Sequence, residues 1–520
     1  MRAIDFFEQG HALEPEEICI LDEGTDRQFS YRQMREMTLR IANGLLAEGL
    51  GQGRHGAVYS PNNGLGFICM ISLFRAGMSW VPLNPRNAIA ENIGLLQDLD
   101  CEVLFYHSMY EAQIEQVRQQ VPGVRTFVCI DKETSAPALE AWLSAYPDDE
   151  IPLSVDTDST AVVAPTSGTT GRSKGVLLTN RSFAAMMNVL GHISPTEQRP
   201  VYLAVAPLTH FGGYVAASIL ARGGSVVIQA DVDLYGILTA ISRYKISILF
   251  LPPTVVYGLL AVPELSQYDL SPLQYLIYGA SPMSPEKLSE ALEVFGPGMV
   301  EIYGQTELCT PVTSLSVSDH YVDGKVAPLE RLASCGRMVS CMDVEIAVMD
   351  DVCRRLPQGE IGELVVKSEG MMEGYYKNPE LTAKTIVDGW LHTGDVGYVD
   401  AEGYFYIVDR KKDMIVTGGF NVFSSEVEKV ISSHPAVVEC AVFGVPDDKW
   451  GEAVKAAVKL KDGPCLDEAE LVSYCKELIG AVKAPKSIDF VEDLPKTVSG
   501  KLQKQVLRSP YWGDRQRSIS

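Results

Sequence analysis

Residues 166–174 read Thr-Ser-Gly-Thr-Thr-Gly-Arg-Ser-Lys and are followed by Gly175. Glycines let backbone N–H groups approach an anion closely, the hydroxyls add donors, and the lysine supplies charge; together these suit a polyphosphate. The run is not a Walker loop, which needs Gly-Lys-Ser/Thr in succession, whereas Lys174 here stands between Ser173 and Gly175. A flexible polar turn is the plainer alternative. Downstream, Tyr303-Gly-Gln-Thr-Glu307 follows the apolar run Met299–Ile302. Its ring can stack on a base, Thr306 can bond a phosphate, and the Glu307 carboxylate can hold a magnesium ion. Thr393-Gly-Asp395 sets a carboxylate at a turn, where it can accept both hydroxyls of a ribose. Asp409-Arg-Lys-Lys-Asp413 is a charged run, and Pro495-Lys-Thr-Val-Ser-Gly-Lys501 is a loop ending in a lysine.

TSGTTGRSKG, YGQTE, GWLHTGD, DRKKDMIVTGGFNVFSSEVE and PKTVSGK, in this order and at these separations, resemble the adenylate-forming superfamily. That group contains acyl- and aryl-CoA synthetases, firefly luciferase and the adenylation domains of peptide synthetases. The resemblance covers roughly residues 10 to 510. It implies two half-reactions. A carboxylate attacks the α-phosphorus of Mg·ATP, giving acyl-adenylate and pyrophosphate; a thiol, usually that of coenzyme A, then displaces AMP. Carried over by motif, Thr166, Ser167, Gly168, Thr169, Thr170, Gly171 and Lys174 hold the β- and γ-phosphates. Tyr303 stacks on adenine, with Gly279, Ala280 and Ser281 along its edge and Gly304 and Gln305 beside it. Thr306 contacts the α-phosphate, Glu307 serves magnesium, and Asp395 binds the ribose with help from Arg410. Lys412 matches the hinge, and Lys501 is the adenylation lysine. Two departures are visible: Ser173 replaces the usual proline of the phosphate loop, and Phe423-Ser424 stands where Tyr-Pro is common. Neither removes a donor the chemistry needs.

The resemblance also places the acyl pocket on His210, Phe211, Gly212, Tyr214, Tyr278, Gly304, Leu308 and Thr310. No Asp or Glu lies between Pro207 and Arg222, which argues against an α-amino acid, whose ammonium group needs a carboxylate. No Lys or Arg occurs in the lining stretches either, so a second acid group is disfavoured. Aromatic walls, with room left by Gly212-Gly213, suit a neutral aryl or aliphatic monocarboxylic acid. His210 is an aromatic gate in the family reading and a packed loop histidine if taken alone. Gly418, Gly419, Phe420 and Trp450 suit a narrow passage for a pantetheine arm. Free coenzyme A is the expected acceptor, and a carrier-protein phosphopantetheine is the alternative. A catalytically inactive homologue would be expected to have lost Lys501, Glu307 or Asp395, and all three are present. His392 reads as structural, and His11, His55 and His320 have no evident partner.

These residues need a scaffold. Tyr202–Ala206, Ser225–Gln229, Ser247–Leu251 and Tyr275–Ala280 read as buried strands with helix-length segments between them, the pattern of parallel sheets covered on both faces. Phe183, Met186, Met187 and Leu190 place a helix just after Asn180. Near residue 410 the pattern changes. Ser425-x-x-Glu428 reads as a capping box, followed by strands at Val437–Val445 and Val454–Leu460. A helix opened by Asp467-x-x-Glu470 and a strand at Ile488–Val491 complete the unit. Residues 411–520 carry 16 basic and 16 acidic side chains, so the net charge of −23 resides in residues 1–410. The expectation is a large N-terminal α/β domain (1–409) with helix-covered parallel sheets, and a small, mobile α+β C-terminal domain (410–520) carrying the catalytic lysine.

Composition bounds the rest. The 520 residues hold 44 Lys+Arg against 67 Asp+Glu, a poor balance for nucleic-acid binding. Eleven cysteines without a C-x-x-C pair suggest a reducing compartment. The N-terminus carries acids where a signal peptide is apolar. The apolar run Gly64–Phe74 is too short to span a bilayer. A stand-alone cytoplasmic enzyme, monomer or homodimer, is the expectation.

Overall fold

The computed structural model describes residues 1–152, 156–166, 174–461, 463, 466–496 and 502–513. The chain divides into two compact units, one of residues 1–345 with 366–391, the other of 346–365 with 392–520.

The first unit contains two sheets rich in parallel pairs. In the larger, nine strands lie in the order Arg337–Met338, Thr313–Leu315, Met299–Tyr303, Tyr275–Gly279, Ile248–Leu251, Val201–Ala204, Ser225–Ile228, Ile18–Asp22, Arg27–Ser30. The pairs from Met299–Tyr303 across to Ile18–Asp22 are parallel. Covering a strand on both faces demands apolar side chains on both, which is why Ile248–Leu251 is buried at every position. In the second sheet seven strands run Gly374–Tyr375, Lys174–Thr179, Thr160–Thr166, Ser79–Pro82, His55–Tyr59, Cys101–Tyr106, Thr126–Cys129. The Gly64–Phe74 run forms a core helix, Gly64–Arg75, buried along its whole length and capped by Asn63, which accepts from the Leu65 and Gly66 N–H groups. Among the described residues no helix is long and apolar enough to cross a membrane.

The strands expected in this unit are present, each bounded within two residues of its sequence reading. They end where the chain leaves the carboxyl edge of the sheet, and binding residues of α/β sheets collect there. The helix Asn180–Ile193 turns Phe183, Met186, Met187, Val189 and Leu190 inward.

The second unit is built on a long hairpin, Val437–Asp447 with Gly451–Leu460, flanked by Ser487–Phe490 and the short hairpin Ile415–Thr417/Phe420–Val422. Helices Ser424–Ser432 and Glu468–Lys483 cover it through Val427, Ile431, Leu471 and Cys475. Asp467 caps the second helix, accepting from the Glu470 N–H. The capping box expected at Ser425 is absent. The helix is Ser424–Ser432 with Phe423 as its N-cap, two positions before Ser425, and its first turn is served by Asp409 of the strand Phe405–Arg410. The Asp409 carboxylate accepts from the Ser424 hydroxyl (2.8 Å) and the Ser425 N–H (3.2 Å), and Glu428 turns instead to the Val442 N–H (2.7 Å). An imported carboxylate complements the positive helix end better than a serine hydroxyl. The charge break near residue 410 falls inside this unit, which also takes in 346–365 and 392–409.

Candidate active site

In the first unit Thr166 ends one strand and Lys174 begins its antiparallel neighbour, and the two face each other in register. The hairpin thus holds both ends of the phosphate-loop motif together. Ser167, Gly168, Thr169, Thr170, Gly171, Arg172 and Ser173 lie outside the described residues. The Lys174 ammonium sits over the Tyr375 ring, 5.2 Å from its centroid. Tyr375, in the strand that pairs with Lys174–Thr179, donates its hydroxyl to the Glu307 carboxylate at 3.0 Å. One tyrosine therefore brings the lysine of the phosphate-loop motif and the carboxylate of YGQTE together. The sequence reading had no place for Tyr375; the stretch Met372–Asn378 carries no local mark of this role.

Tyr303 ends a strand, and Gly304 begins the turn after it. A Cβ at Gly304 would stand 2.6 Å from the Thr310 carbonyl oxygen, so the turn admits only glycine. Thr306–Leu308 form a single 3₁₀ turn closed by Cys309 at φ 59°. The Glu307 carbonyl accepts from the Met372 N–H at 2.8 Å. Tyr303, Gln305, Thr306 and Glu307 are half-buried and Gly304 is exposed, whereas Leu308 and Thr310 pack beneath the turn. The parallel neighbour Tyr275–Gly279 ends alongside, with Gly279 opposite Ile302 and its absent Cβ 2.6 Å from the Ile302 carbonyl oxygen. Ala280 follows at φ 67°, a conformation costing a side-chain-bearing residue about 1–2 kcal/mol, and Ala280 and Ser281 are exposed.

Glu307 is the candidate magnesium ligand. Among the described residues no group of three or more His, Cys, Asp or Glu gathers around a common point. A single carboxylate suits magnesium, which keeps several waters and completes its shell with substrate phosphates. Calcium or zinc would ask for a larger protein donor set.

His210 occupies the N-cap position of helix Phe211–Ala221, exposed, with Nδ1 3.0 Å from the Thr209 hydroxyl. The protein around the imidazole lowers its pKa below the usual histidine value through desolvation. The loop leading to it is held by Asn62. Its Nδ2 lies 3.1–3.2 Å from the carbonyls of Val205, Ala206 and Gln229, and its Oδ1 accepts from the Leu208 N–H at 2.9 Å. Phe211 packs on Phe250 with centroids 4.8 Å apart, and Tyr214 on Phe183 at 5.7 Å.

Gly212 and Gly213 do not act as expected. A Cβ would lie 2.8 Å from the Ala206 carbonyl oxygen at Gly212 and 2.1 Å from that of Leu208 at Gly213. The glycines admit the close approach of helix and loop backbones; they do not open space for substrate. Tyr278 is fully buried and presents no accessible wall: its hydroxyl lies 2.9 Å from Nε2 of His320, whose Nδ1 faces the Ser316 carbonyl at 2.8 Å. That buried histidine, held by a tyrosine, has its pKa pushed down to about 4 by desolvation. Glu301, in the strand beside Tyr275–Gly279, is a carboxylate that the sequence reading does not single out. Phe250, Ile277 and Val300 are in register, so Glu301 projects from the opposite face of its strand to Phe250. Burial raises its pKa to about 8, leaving it mostly protonated at pH 7.

In the second unit Asp395 and Arg410 face each other across a hairpin, with Nε 3.5 Å from Oδ1, and Asp395 is buried. Lys412 lies in the 3₁₀ turn Lys411–Asp413, and its carbonyl accepts from Arg508 at 3.2 Å. His392 is structural as expected, its Nδ1 3.1 Å from Glu363. Gly418 and Gly419 form the two-residue turn between Thr417 and Phe420, with φ of 59° and 81°. Both signs are positive, as a type I′ hairpin turn requires. Gly418 donates to the Trp450 carbonyl at 2.8 Å, and a Cβ there would stand 2.6 Å from the Trp450 ring. Phe420 and Trp450 are 60% and 43% exposed, large for aromatic side chains. Lys501 lies outside the described residues. On either side of it, Lys496 and Leu502 form an isolated antiparallel bridge, and the Gln503 N–H donates to the Pro495 carbonyl at 2.8 Å.

Comparison with known proteins identifies the family. The family model described as AMP-binding enzyme matches residues 7–376, and the model of the AMP-binding enzyme C-terminal domain matches residues 426–501. A medium/long-chain-fatty-acid–CoA ligase of Mycobacterium tuberculosis, FadD8, is 35% identical over 452 residues, covering 84% of this chain and 78% of its own. A feruloyl-CoA synthase of an Amycolatopsis species is 34% identical, covering 93% and 94%. The crystal structure of ATP-bound MatB from Rhodopseudomonas palustris superposes with a TM-score of 0.88 at 28% identity, covering 99% of this chain and 100% of that one. The chain belongs to the AMP-binding enzymes, the adenylate-forming superfamily.

Proposed function

We propose that this protein is an AMP-forming acid–thiol ligase that activates a neutral monocarboxylic acid with ATP and transfers the acyl group to coenzyme A. In the first step a carboxylate oxygen of the acid bonds to the α-phosphorus and the bond to the β-phosphate bridging oxygen breaks, releasing pyrophosphate. In the second the thiol sulfur bonds to the acyl carbon, its proton passes to solvent, and AMP leaves. The observation that carries the reading is the Lys174–Tyr375–Glu307 line: a cation at the phosphate loop and a carboxylate suited to magnesium, joined through one tyrosine. An anion attacking a polyanion needs positive charge held in place before the reaction. Lys174 and the backbone of residues 166–174 hold the β- and γ-phosphates, Glu307 a magnesium ion that neutralises them, and Tyr303 the adenine. Asp395 with Arg410 takes the ribose, and Lys501 bridges carboxylate and phosphate. His210 gates the acyl pocket toward the thiol.

The pocket reading is supported by Phe211 and Phe250, by the lack of acids between Pro207 and Arg222, and by Glu301 projecting away from Phe250. The test is acid-dependent pyrophosphate release over a panel of aryl and aliphatic acids and α-amino acids, with and without coenzyme A. Neutral monocarboxylates are expected to be best, with AMP and pyrophosphate as products. A free amino acid proving best would overturn the pocket reading; ADP and phosphate as products would overturn the ligase. Thioester forming only on a carrier-protein phosphopantetheine would move the acceptor to that group. The ten described cysteines are all free thiols, in keeping with a cytoplasmic setting.

Two chemistries in one site call for a swing of the C-terminal domain, residues 410–520, about Lys412. A 3₁₀ turn such as Lys411–Asp413 has φ values that proline tolerates, so Lys412→Pro is expected to trap one domain orientation and impair one half-reaction more than the other. Separate assays of pyrophosphate exchange and thioester formation check this; equal loss of both in a folded protein would count against a hinge.

A further inference from the structure

The structure assigns to Glu363 the positioning of the ribose-binding carboxylate, an inference that rests on the reading of Asp395 above. Glu363 is 9% exposed, and three donors meet its carboxylate. One oxygen accepts the Gly394 backbone N–H at 3.0 Å. The other faces His392 Nδ1 at 3.1 Å and the Lys411 ammonium at 3.1 Å. Lys411 reaches Asp351 as well, at 3.0 Å.

Asp395 lies with Thr393 and Gly394 inside the strand Trp390–Val399, not at the turn the motif suggested. Gly394 has φ 71°, a conformation that needs restraint because glycine is free to leave it. Thr393 donates to the Leu364 carbonyl at 2.6 Å and accepts from the Asp395 N–H at 3.0 Å. Glu363 and Leu364 together therefore clamp Thr393-Gly394 from one strand. Of the two, Glu363 supplies the charged bond, the stronger kind. The carboxylate also ties Lys411, next to the hinge residue, to this same stretch of strand. Asp395 is then set for both ribose hydroxyls before nucleotide arrives, and the cost of ordering it is not charged to binding.

Glu363 touches no substrate in this account, so its removal must be felt through the ribose. The test compares ATP with 2′,3′-dideoxy-ATP, which lacks the groups Asp395 accepts, in acid-dependent pyrophosphate release by wild type, Glu363→Ala and Glu363→Gln. Glu363→Ala is expected to raise KM for ATP by ~10-fold, the scale of a hydrogen bond to a charged group, with little change in kcat. KM for the dideoxy nucleotide should stay near that of wild type. Glu363→Gln keeps the volume and an acceptor for the Gly394 N–H but loses the charge facing His392 and Lys411. Its penalty should be smaller and show the same nucleotide dependence, and it carries the test if the alanine variant does not fold. A rise in KM equal for both nucleotides, or no rise in either variant, overturns the positioning role. A wild-type enzyme that does not prefer ATP to the dideoxy nucleotide overturns the ribose assignment of Asp395 instead.

Discussion

Lys501→Ala is expected to slow adenylate formation by at least ~10²-fold, the scale for removing one preorganised charge-stabilising donor, while supplied acyl-adenylate and coenzyme A still give thioester. Coulomb attraction decides the size. Two unit charges 4 Å apart at an effective dielectric constant of 20 interact by about 4 kcal/mol, and ~10²-fold in rate needs about 2.7 kcal/mol. A single lysine between carboxylate and α-phosphate is therefore enough. Thiol attack on the finished adenylate meets less negative charge, and in the two-orientation scheme the loop has by then withdrawn. Both half-reactions would be assayed on purified protein whose folding is confirmed by circular dichroism. If Lys501→Ala fails equally on preformed adenylate, the assignment of the lysine to the first step alone is wrong.

Gly419→Trp should do the reverse: keep acid-dependent pyrophosphate exchange and lose thioester formation. The structure makes Gly419 the better probe of the neighbouring pair. A Cβ there meets nothing within 4 Å, whereas one at Gly418 would strike the Trp450 ring at 2.6 Å. The remaining cost is conformational: φ of 81° is left-handed, worth roughly 1–2 kcal/mol against a side-chain-bearing residue. That cost falls on one exposed turn. The core formed by Ile415, Val422, Val427, Val442 and Val454 lies beneath it and should hold the fold. Normal thioester formation by a folded Gly419→Trp protein would remove this turn from the pantetheine path.

What was legible in one dimension was whatever local chemistry or periodicity imposes. Buried parallel strands write themselves as apolar runs, so Ser225–Ile228, Ile248–Leu251 and Tyr275–Gly279 could be found to within a residue or so. Asp467 was readable as a cap because its partner, the Glu470 N–H, is three residues away. The glycine pair at 418–419 was visible, though its first duty is to a hairpin turn with two positive φ values. Other local marks misled. Ser425-x-x-Glu428 has the form of a capping box, yet Asp409, 16 residues before Ser425, takes the role. Gly212-Gly213 looked like space and proved to be contact, because the carbonyls that exclude a Cβ belong to Ala206 and Leu208.

The sequence by itself determined the order and spacing of the motifs, the alternating α/β scaffold and the family. Each depends on residue types within a short stretch or on the order of such stretches. Only the tertiary structure decided which residues stand behind them. Tyr375 joins Glu307 from 68 positions away, Asn62 holds the His210 loop from 144, and Glu363 grips Gly394, beside Asp395, from 31. Backbone preferences and hydrophobic period leave their record over a few residues. A hydrogen bond between strands of a sheet depends on which strands the fold makes neighbours, and no local pattern carries that information.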